Sequence, residues 1–293
     1  MIEYSHCPVC LGTDFKEVFQ AKDYTVSGNA FGVAHCSKCE HRFTNPVPNQ
    51  AEIGPYYKSA DYVSHTNTSK GLIHGLYQSV RKYTLKAKRR LVASKTGKDH
   101  GAHLDVGSGA GAFLATMKAA GWDTLGLEPD PDARAVAKSD FGVDAKPVEE
   151  LFQLPAGSFD AITMWHVLEH VHQLDAYMQQ LKALLKVDGR LFIAVPNYTS
   201  VDAQVLGPKW AAYDVPRHLY HFSPASMRHL LTRHGFILVG TKRMPFDSFY
   251  VSMLSERNTS GSLIRGVWIG FRSWVAAIFS KERCSSLIYI IQK

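Results

Sequence analysis

Four of the five cysteines in this 293-residue chain form two matched pairs, Cys7-x-x-Cys10 and Cys36-x-x-Cys39. Each pair spans a tight turn, and a short β-rich segment separates them, so four soft thiolates can face one point. The chemistry that suits them is a tetrahedral structural Zn2+ site, because four sulfurs leave no open position. His6, His35 and His41 flank the cysteines and are expected on the surface, the coordination sphere being full. The solitary Cys284 is expected to be packed rather than reactive.

A second group of residues could hold a nucleotide-like cofactor. In Ala102 to Leu114 an apolar run reaches Asp105, turns through Gly107, Ser108, Gly109 and Gly111, and continues as an apolar helix. A strand, a glycine turn and a helix place backbone N–H groups at the carboxyl edge of a parallel sheet. Glycine suits such a turn because φ is unusual and the ligand approaches the backbone closely. Glu128 ends the next apolar run, and a carboxylate can accept two ribose hydroxyls at once.

A third group could move a proton. Trp210 to Ser223 is aromatic and holds His218 and His221, and imidazole is the natural base near neutral pH. The competing reading makes Pro216-Arg217-His218 an anchor for the next helix, which Ser223 and Pro224 begin as N-cap and N1. Tyr62 lies in an aromatic stretch, residues 56–65, that is either a loop packed by its tyrosines or a lid. His166-x-x-Glu169-His170 spells a zinc-peptidase pattern, but no distinct third ligand follows it downstream.

The elements that must position these groups alternate. Strands are expected at 102–106, 124–128, 143–146, 159–164 and 190–195, with helices at 110–120, 131–140 and 172–186 between them. Such alternation means a parallel sheet covered on both faces. Two further strands are expected at 236–242 and 286–291. Asn45-Pro46-Val47-Pro48 reads as an extended linker. A helix over 71–95 crowds Arg81, Lys82, Lys86, Lys88, Arg89 and Arg90 into its second half, which reads as a solvated face. Leu72, Leu76, Val80, Leu85 and Leu91 would supply its buried face. Residues 262–280 form a helix with a broad apolar face and a narrow polar stripe. It either packs on its own domain or lies on a membrane surface.

Four blocks, LDVGSGAG, GLEPD, FDAITMWHVLEHV and LLKVDGRLFIAVPN, occur in the order in which class I S-adenosylmethionine (SAM)-dependent methyltransferases carry them. Over roughly residues 100–240 the chain resembles that family. The resemblance implies a Rossmann-like α/β sheet, mostly parallel, whose last strand is antiparallel and neighbours the sixth. It implies SAM as the cofactor of Asp105, Gly107, Ser108, Gly109, Gly111, Glu128, Trp165 and His166. The cysteine module, the tyrosines and His218-Leu219 are similar to the sugar C-methyltransferases, which implies catalytic roles for His218 and Tyr62, with His221 in reserve. Arg217 stands where those enzymes have Glu, which speaks against carbon methylation. The remainder is similar to quinone-type O-methyltransferases.

The expected organisation is a zinc ribbon over 1–48, an aromatic lid and basic helix over 49–100, and a methyltransferase core over 101–293 with insertions near 198–225 and 246–284. Hydrophobic residues make up 45% of the chain and charged ones 20%, as in a protein with a substantial core. No signal peptide opens the chain and no run of eighteen uncharged apolar residues occurs, so a cytoplasmic protein is expected, with membrane contact through 262–280 at most. The net charge of +7 selects no partner by itself. The expected activity is methylation of a small metabolite, glycan precursor or lipid-linked intermediate, at oxygen, with a histidine base. The alternatives are a sugar C-methyltransferase, an RNA methyltransferase (no stacking platform accompanies the basic helix) and a non-catalytic partner-binding protein.

Overall fold

A computed structural model describes residues 1–58 and 72–293, the side chains of 72–79 excepted. Tyr62 and most of the expected lid lie outside the described residues. In chain order the strands and helices are β1 (Phe15–Lys22), β2 (Ala30–Cys36), β3 (Arg42–Thr44), α1 (Leu72–Thr96), β4 (Ala102–Val106), α2 (Ala112–Lys118), β5 (Asp123–Leu127), α3 (Pro131–Phe141), β6 (Ala145–Lys146) and β7 (Phe159–Trp165). There follow α4 (Leu174–Leu184), β8 (Leu185–Pro196), α5 (Val201–Leu206), β9 (Tyr220–His221), α6 (Pro224–Arg233), β10 (Ile237–Arg243), α7 (Asp247–Asn258), α8 (Leu263–Phe279) and β11 (Ser286–Gln292).

Seven strands form one sheet in the order β10-β11-β8-β7-β4-β5-β6. β4 is parallel to both β5 and β7, and β5 to β6. Strands covered on both faces must be apolar throughout, and β7 is buried at six of its seven positions. The last strand lies beside β10, between it and β8, which is the neighbourhood the family resemblance implies. Local signals set several ends. Asp130 caps α3 by accepting from Asp132 N, and Gly142 ends it in the left-handed conformation. Ser223 and Ser226 form a capping box on α6, with Pro224 in the first turn.

Some local expectations are corrected. α2 is shorter than 110–120, because Gly111, at φ +79°, is its N-cap. β8 begins at Leu185, earlier than the strand expected at 190–195, and so takes in Asp188 and Gly189. α7 went unread: its apolar residues do not fall on one clean face. Among the described side chains of α1 the fully buried apolar residue is Val92, while Val80, Leu85 and Leu91 are only half-buried.

Contacts divide the chain into two compact units: Met1–Tyr62 with Leu168–Leu174 and Ala194–Tyr289, and Val63–Val167 with Asp175–Ile193 and Ile290–Lys293. The first holds a four-stranded sheet, β1-β2-β3-β9, whose pairs are antiparallel. Asn45 to Pro48 does not leave this unit as a linker: Val47 is fully buried and bridges Ile2. His41 is not a surface residue either. It is enclosed by Phe43, Tyr220 and Phe222, and burial lowers its pKa to about 3.

Candidate active site

In the second unit the glycine turn follows β4. Gly107 N and Ser108 N both donate to Leu127 O, which ties the turn to β5. The three glycines serve different ends. A Cβ on Gly107 would lie 2.3 Å from Val167 Cγ2, and one on Gly111 would lie 2.7 Å from Val143 Cγ2. Both are required by packing. Gly109, at φ +53°, has nothing within 4 Å of its Cβ position, so this is where the turn opens to a ligand. The close-approach role expected of the whole turn therefore falls to Gly109.

Asp105 is almost wholly buried and accepts from Thr163 Oγ1 at 2.5 Å. That hydroxyl accepts in turn from His103 Nε2 at 2.9 Å, which makes an ordered chain behind the carboxyl group. Burial pushes Asp105 up to about 7, against the hydrogen bond from Thr163 and the field of Lys88. Glu128 accepts from Gly109 N at 2.8 Å and from Asp130 N at 3.0 Å, one bond to each oxygen. A carboxylate has about four acceptor positions, so two remain for hydroxyl donors. Its pKa too is raised by burial.

Trp165 packs edge-on to Phe113, at 5.3 Å between ring centroids, and Lys88 Nζ stands 4.2 Å from its ring centre. Trp165 Nε1 and Ser108 Oγ are buried without a hydrogen-bond partner among the described residues. His166 has φ +59°, a backbone conformation rare outside glycine and common where a site is held under strain. Open space at Gly109, two orphaned polar atoms and two buried carboxylates fit a polar cofactor that carries hydroxyl donors and a positive charge. Lys88 is the residue that sequence reasoning missed here, since it was read as part of a solvated charge run.

In the first unit, His218 Nδ1 donates to Ala212 O at 2.8 Å, and its Nε2 lies 3.9 Å from Asp214 Oδ2. The His170 ring meets it edge-on at 4.6 Å, and His170 Nδ1 donates to Arg217 O. Tyr57 Oη lies 3.0 Å from the same nitrogen. Burial above all lowers His170 to about 4. Glu169, His170 and His218 bring three potential ligand atoms within 4.8 Å of one another. His166, which opens the His-x-x-Glu-His pattern, is not in this group, so among the described residues the peptidase pattern is not assembled as a ligand set.

Arg217 is 1% exposed and is spent on structure. Its guanidinium donates twice to Asp214, at 2.6 and 3.0 Å, once to Asp23 at 3.0 Å and once to Tyr56 O at 2.9 Å. Asp23 also accepts from the backbone of Thr25, Val26 and Ser27, so one ion cluster closes a loop of the small sheet. His221 sits in β9 with Nε2 3.2 Å from Thr44 Oγ1 and its ring against Tyr213. Burial holds its pKa well below the usual imidazole value, as suits a core residue rather than a base.

The four cysteines converge. Cys7 and Cys39 sulfurs are 3.5 Å apart, as are those of Cys10 and Cys36, and all four lie within 4.8 Å. The two turns repeat one geometry: Leu11 N donates to Cys7 O and Glu40 N to Cys36 O. In both turns the residue after the second cysteine, Leu11 or Glu40, has positive φ. Tetrahedral bonds of about 2.3 Å need sulfurs a little under 4 Å apart, so the set fits zinc. Cys284 is buried against Met244 O, and burial raises it to about 11.

A sequence model of a family described as a methyltransferase domain matches residues 77–240, more than half of the chain. The chain belongs to this methyltransferase-domain family. The ubiquinone biosynthesis O-methyltransferase of Xanthomonas axonopodis pv. citri (strain 306) is 31% identical over 157 residues, 49% of this chain and 66% of that protein. Its counterpart in Acinetobacter baumannii (strain AYE) is 28% identical over 149 residues, 46% of this chain and 63% of that one. The chain thus spans just under two thirds of these relatives' length. A SAM-dependent methyltransferase from Archaeoglobus fulgidus matches at a TM-score of 0.50 and 19% identity, over 73% of this chain and 94% of that one. The 1,6-didemethyltoxoflavin-N1-methyltransferase of Burkholderia thailandensis, solved with S-adenosylhomocysteine, matches at 0.51 and 18%, over 88% and 98%. The methyltransferase domain of this chain therefore has the class I SAM-dependent fold, and the glycine turn lies inside the family match.

Proposed function

We propose that the protein is a SAM-dependent methyltransferase acting on an oxygen of a small metabolite, glycan precursor or lipid-linked intermediate, with His218 as general base and a structural zinc held by Cys7, Cys10, Cys36 and Cys39. Bound SAM supplies an activated methyl group, so the chain's task is to hold and orient the reactants and to take a proton. The glycine turn, Glu128 and Asp105 hold the cofactor. The observation that carries the base is the His218 tautomer. Its Nδ1–H is committed to Ala212 O, so Nε2 keeps the lone pair that can accept a hydroxyl proton. Asp214 faces that nitrogen and stabilises the imidazolium once it forms. Oxygen is favoured over carbon because Arg217, in place of a carboxylate, is wholly engaged in the ion cluster. The relatives named as O-methyltransferases favour the same acceptor.

The test is a screen of metabolite extracts with labelled SAM, followed by variants on the substrate found. His218→Ala is expected to lower turnover by about 10²-fold or more, the size of a lost general base, with SAM affinity unchanged. Normal turnover in that variant removes the base, and binding of NADH without SAM removes the whole reading. One zinc per chain is expected to copurify, and chelation to unfold the cysteine module, because metal affinity there is folding energy. Active, folded protein without metal would refute the zinc.

A further inference from the structure

Helix α8 packs the wrong way round for a soluble amphipathic helix. Its inward face is made of small residues, Gly266, Gly270, Ser273 and Ala277, with Ile269 the one large side chain buried among them. A Cβ on Gly266 would lie 2.8 Å from Met253 Cα, and one on Gly270 would lie 2.7 Å from Phe249 Cα, so α7 and α8 touch backbone to backbone. Ser273 Oγ donates to the buried Asp202 at 2.6 Å, and Ala277 is buried on the same side. Asp202 also accepts from Trp210 Nε1 and Ser285 Oγ, which fixes the rotation of α8 about its axis.

The other large apolar residues face outward in consequence. Ile264 is 82% exposed, Trp268 59% and Phe279 87%, and Leu263, Val267, Phe271, Trp274 and Ile278 are exposed with them. Trp268, Phe271 and Trp274 form a ladder of near-parallel rings, with centroids 5.8 and 6.1 Å apart. A contiguous face of this kind marks a binding surface. Charge selects its occupant. Residues 262–283 contain Arg265, Arg272, Lys281 and Arg283 against a single acid, Glu282. Glu282 is paired with Arg228, and Arg265 with Glu256 of α7, while Arg272, Lys281 and Arg283 are exposed. Arg265 and Arg272, seven residues apart, share one flank of the apolar face.

We infer that this face seats the protein on an anionic lipid bilayer. Trp and Phe lie at the level of the headgroups, and the flanking cations meet lipid phosphate. Among the described residues no helix is long and apolar enough to cross a membrane, so α8 lies on the bilayer. A second copy of the chain fits the face less well, because a two-fold contact would set the same cations against each other with no acid to answer them. The inference is independent of the methyl acceptor and of His218.

The test is co-flotation of the full chain with phosphatidylcholine vesicles, with and without phosphatidylglycerol. Recovery with the anionic vesicles is expected to exceed that with phosphatidylcholine alone by about tenfold at low salt. The double variant Trp268→Ser, Phe271→Ser is expected to lose binding by at least about tenfold, while its thermal unfolding and SAM binding stay unchanged. Arg272→Glu keeps every apolar contact and is expected to weaken anionic binding alone. The inference is overturned if the wild type stays behind, or if the double variant or Arg272→Glu floats as well as the wild type. A concentration-dependent dimer that the double variant abolishes would assign the face to a second copy instead.

Discussion

The glycine turn and the ion cluster around Arg217 are built in opposite ways. The turn draws its residues from one short stretch, Asp105 to Gly111, with Glu128 and Trp165 from the strands on either side of β4. The cluster joins Arg217 and its neighbour Asp214 to Asp23 and Tyr56, which come from a distant part of the chain. In the first, each residue type follows from the local backbone and the ligand. In the second, a residue's meaning comes from neighbours that no spacing in the sequence announces. Arg217 is the clearest case, because beside the proposed base His218 it performs a structural task.

The largest effect should come from breaking the cluster. Arg217→Met leaves Asp23 and Asp214 buried without their cation, and thermal or denaturant unfolding is expected to show a loss of about 3–5 kcal/mol. SAM affinity of the folded fraction should be unchanged. Both carboxyls are held below their usual pKa in the wild type, Arg217 contributing to each. Their stabilisation is therefore complete above the unfolded carboxylate value and is lost as pH falls through the lower folded values. In Arg217→Met the acid transition should move to higher pH. An unchanged melting temperature would deny that the cluster closes the unit.

The turn can be divided in the same manner. Gly109→Val should weaken SAM binding by about 10²-fold, roughly 2.7 kcal/mol, because its side chain enters the ligand space. Gly111→Ala should instead cost about 1–3 kcal/mol of stability by pressing on Val143 and Ala137, with SAM affinity changed only a few-fold. Titration calorimetry and unfolding of both variants check the pair, and the reverse pattern would reassign the two glycines.

The smallest effect concerns pH. Asp105 has its folded pKa raised to about 7, so the neutral form is favoured by the fold. Its contribution to apo stability is complete below the unfolded value near 4 and is lost as pH rises through 7. Apo stability is expected to fall across that window, and Asp105→Asn to flatten the slope. SAM, a cation, should bind more tightly as pH rises through 7 and then level off. A pH-independent affinity would remove Asp105 from the contact.

Much of the methyltransferase core was legible from the chain alone. Strands β4, β5 and β7 are short apolar runs ended by glycine or a charged residue, and glycine and capping residues mark the helix ends. The cysteine knuckles were legible because a metal site depends on residue type and local spacing. Histidine was the hardest type to read. His41 and His221 carry the same side chain as His218, and only enclosure by Phe43, Phe222 and Tyr213 makes them core residues. Lys88 shows the converse: one member of a basic run lies over Trp165, and nothing in the run singles it out.

The amino-acid sequence by itself determined the strand and helix alternation of the methyltransferase core, the glycine turn, the two cysteine knuckles and the presence of an apolar helix near 262–280. These follow from backbone preferences and from chemistry between near neighbours, which spacing records. Tertiary structure alone decided that Arg217 is a structural cation, that Gly109 rather than Gly107 opens the turn, and that α8 turns its small residues inward. Each of those depends on which groups meet across long stretches of chain, and in α8 the close approach of two helix backbones left every large side chain but Ile269 outside or half-buried.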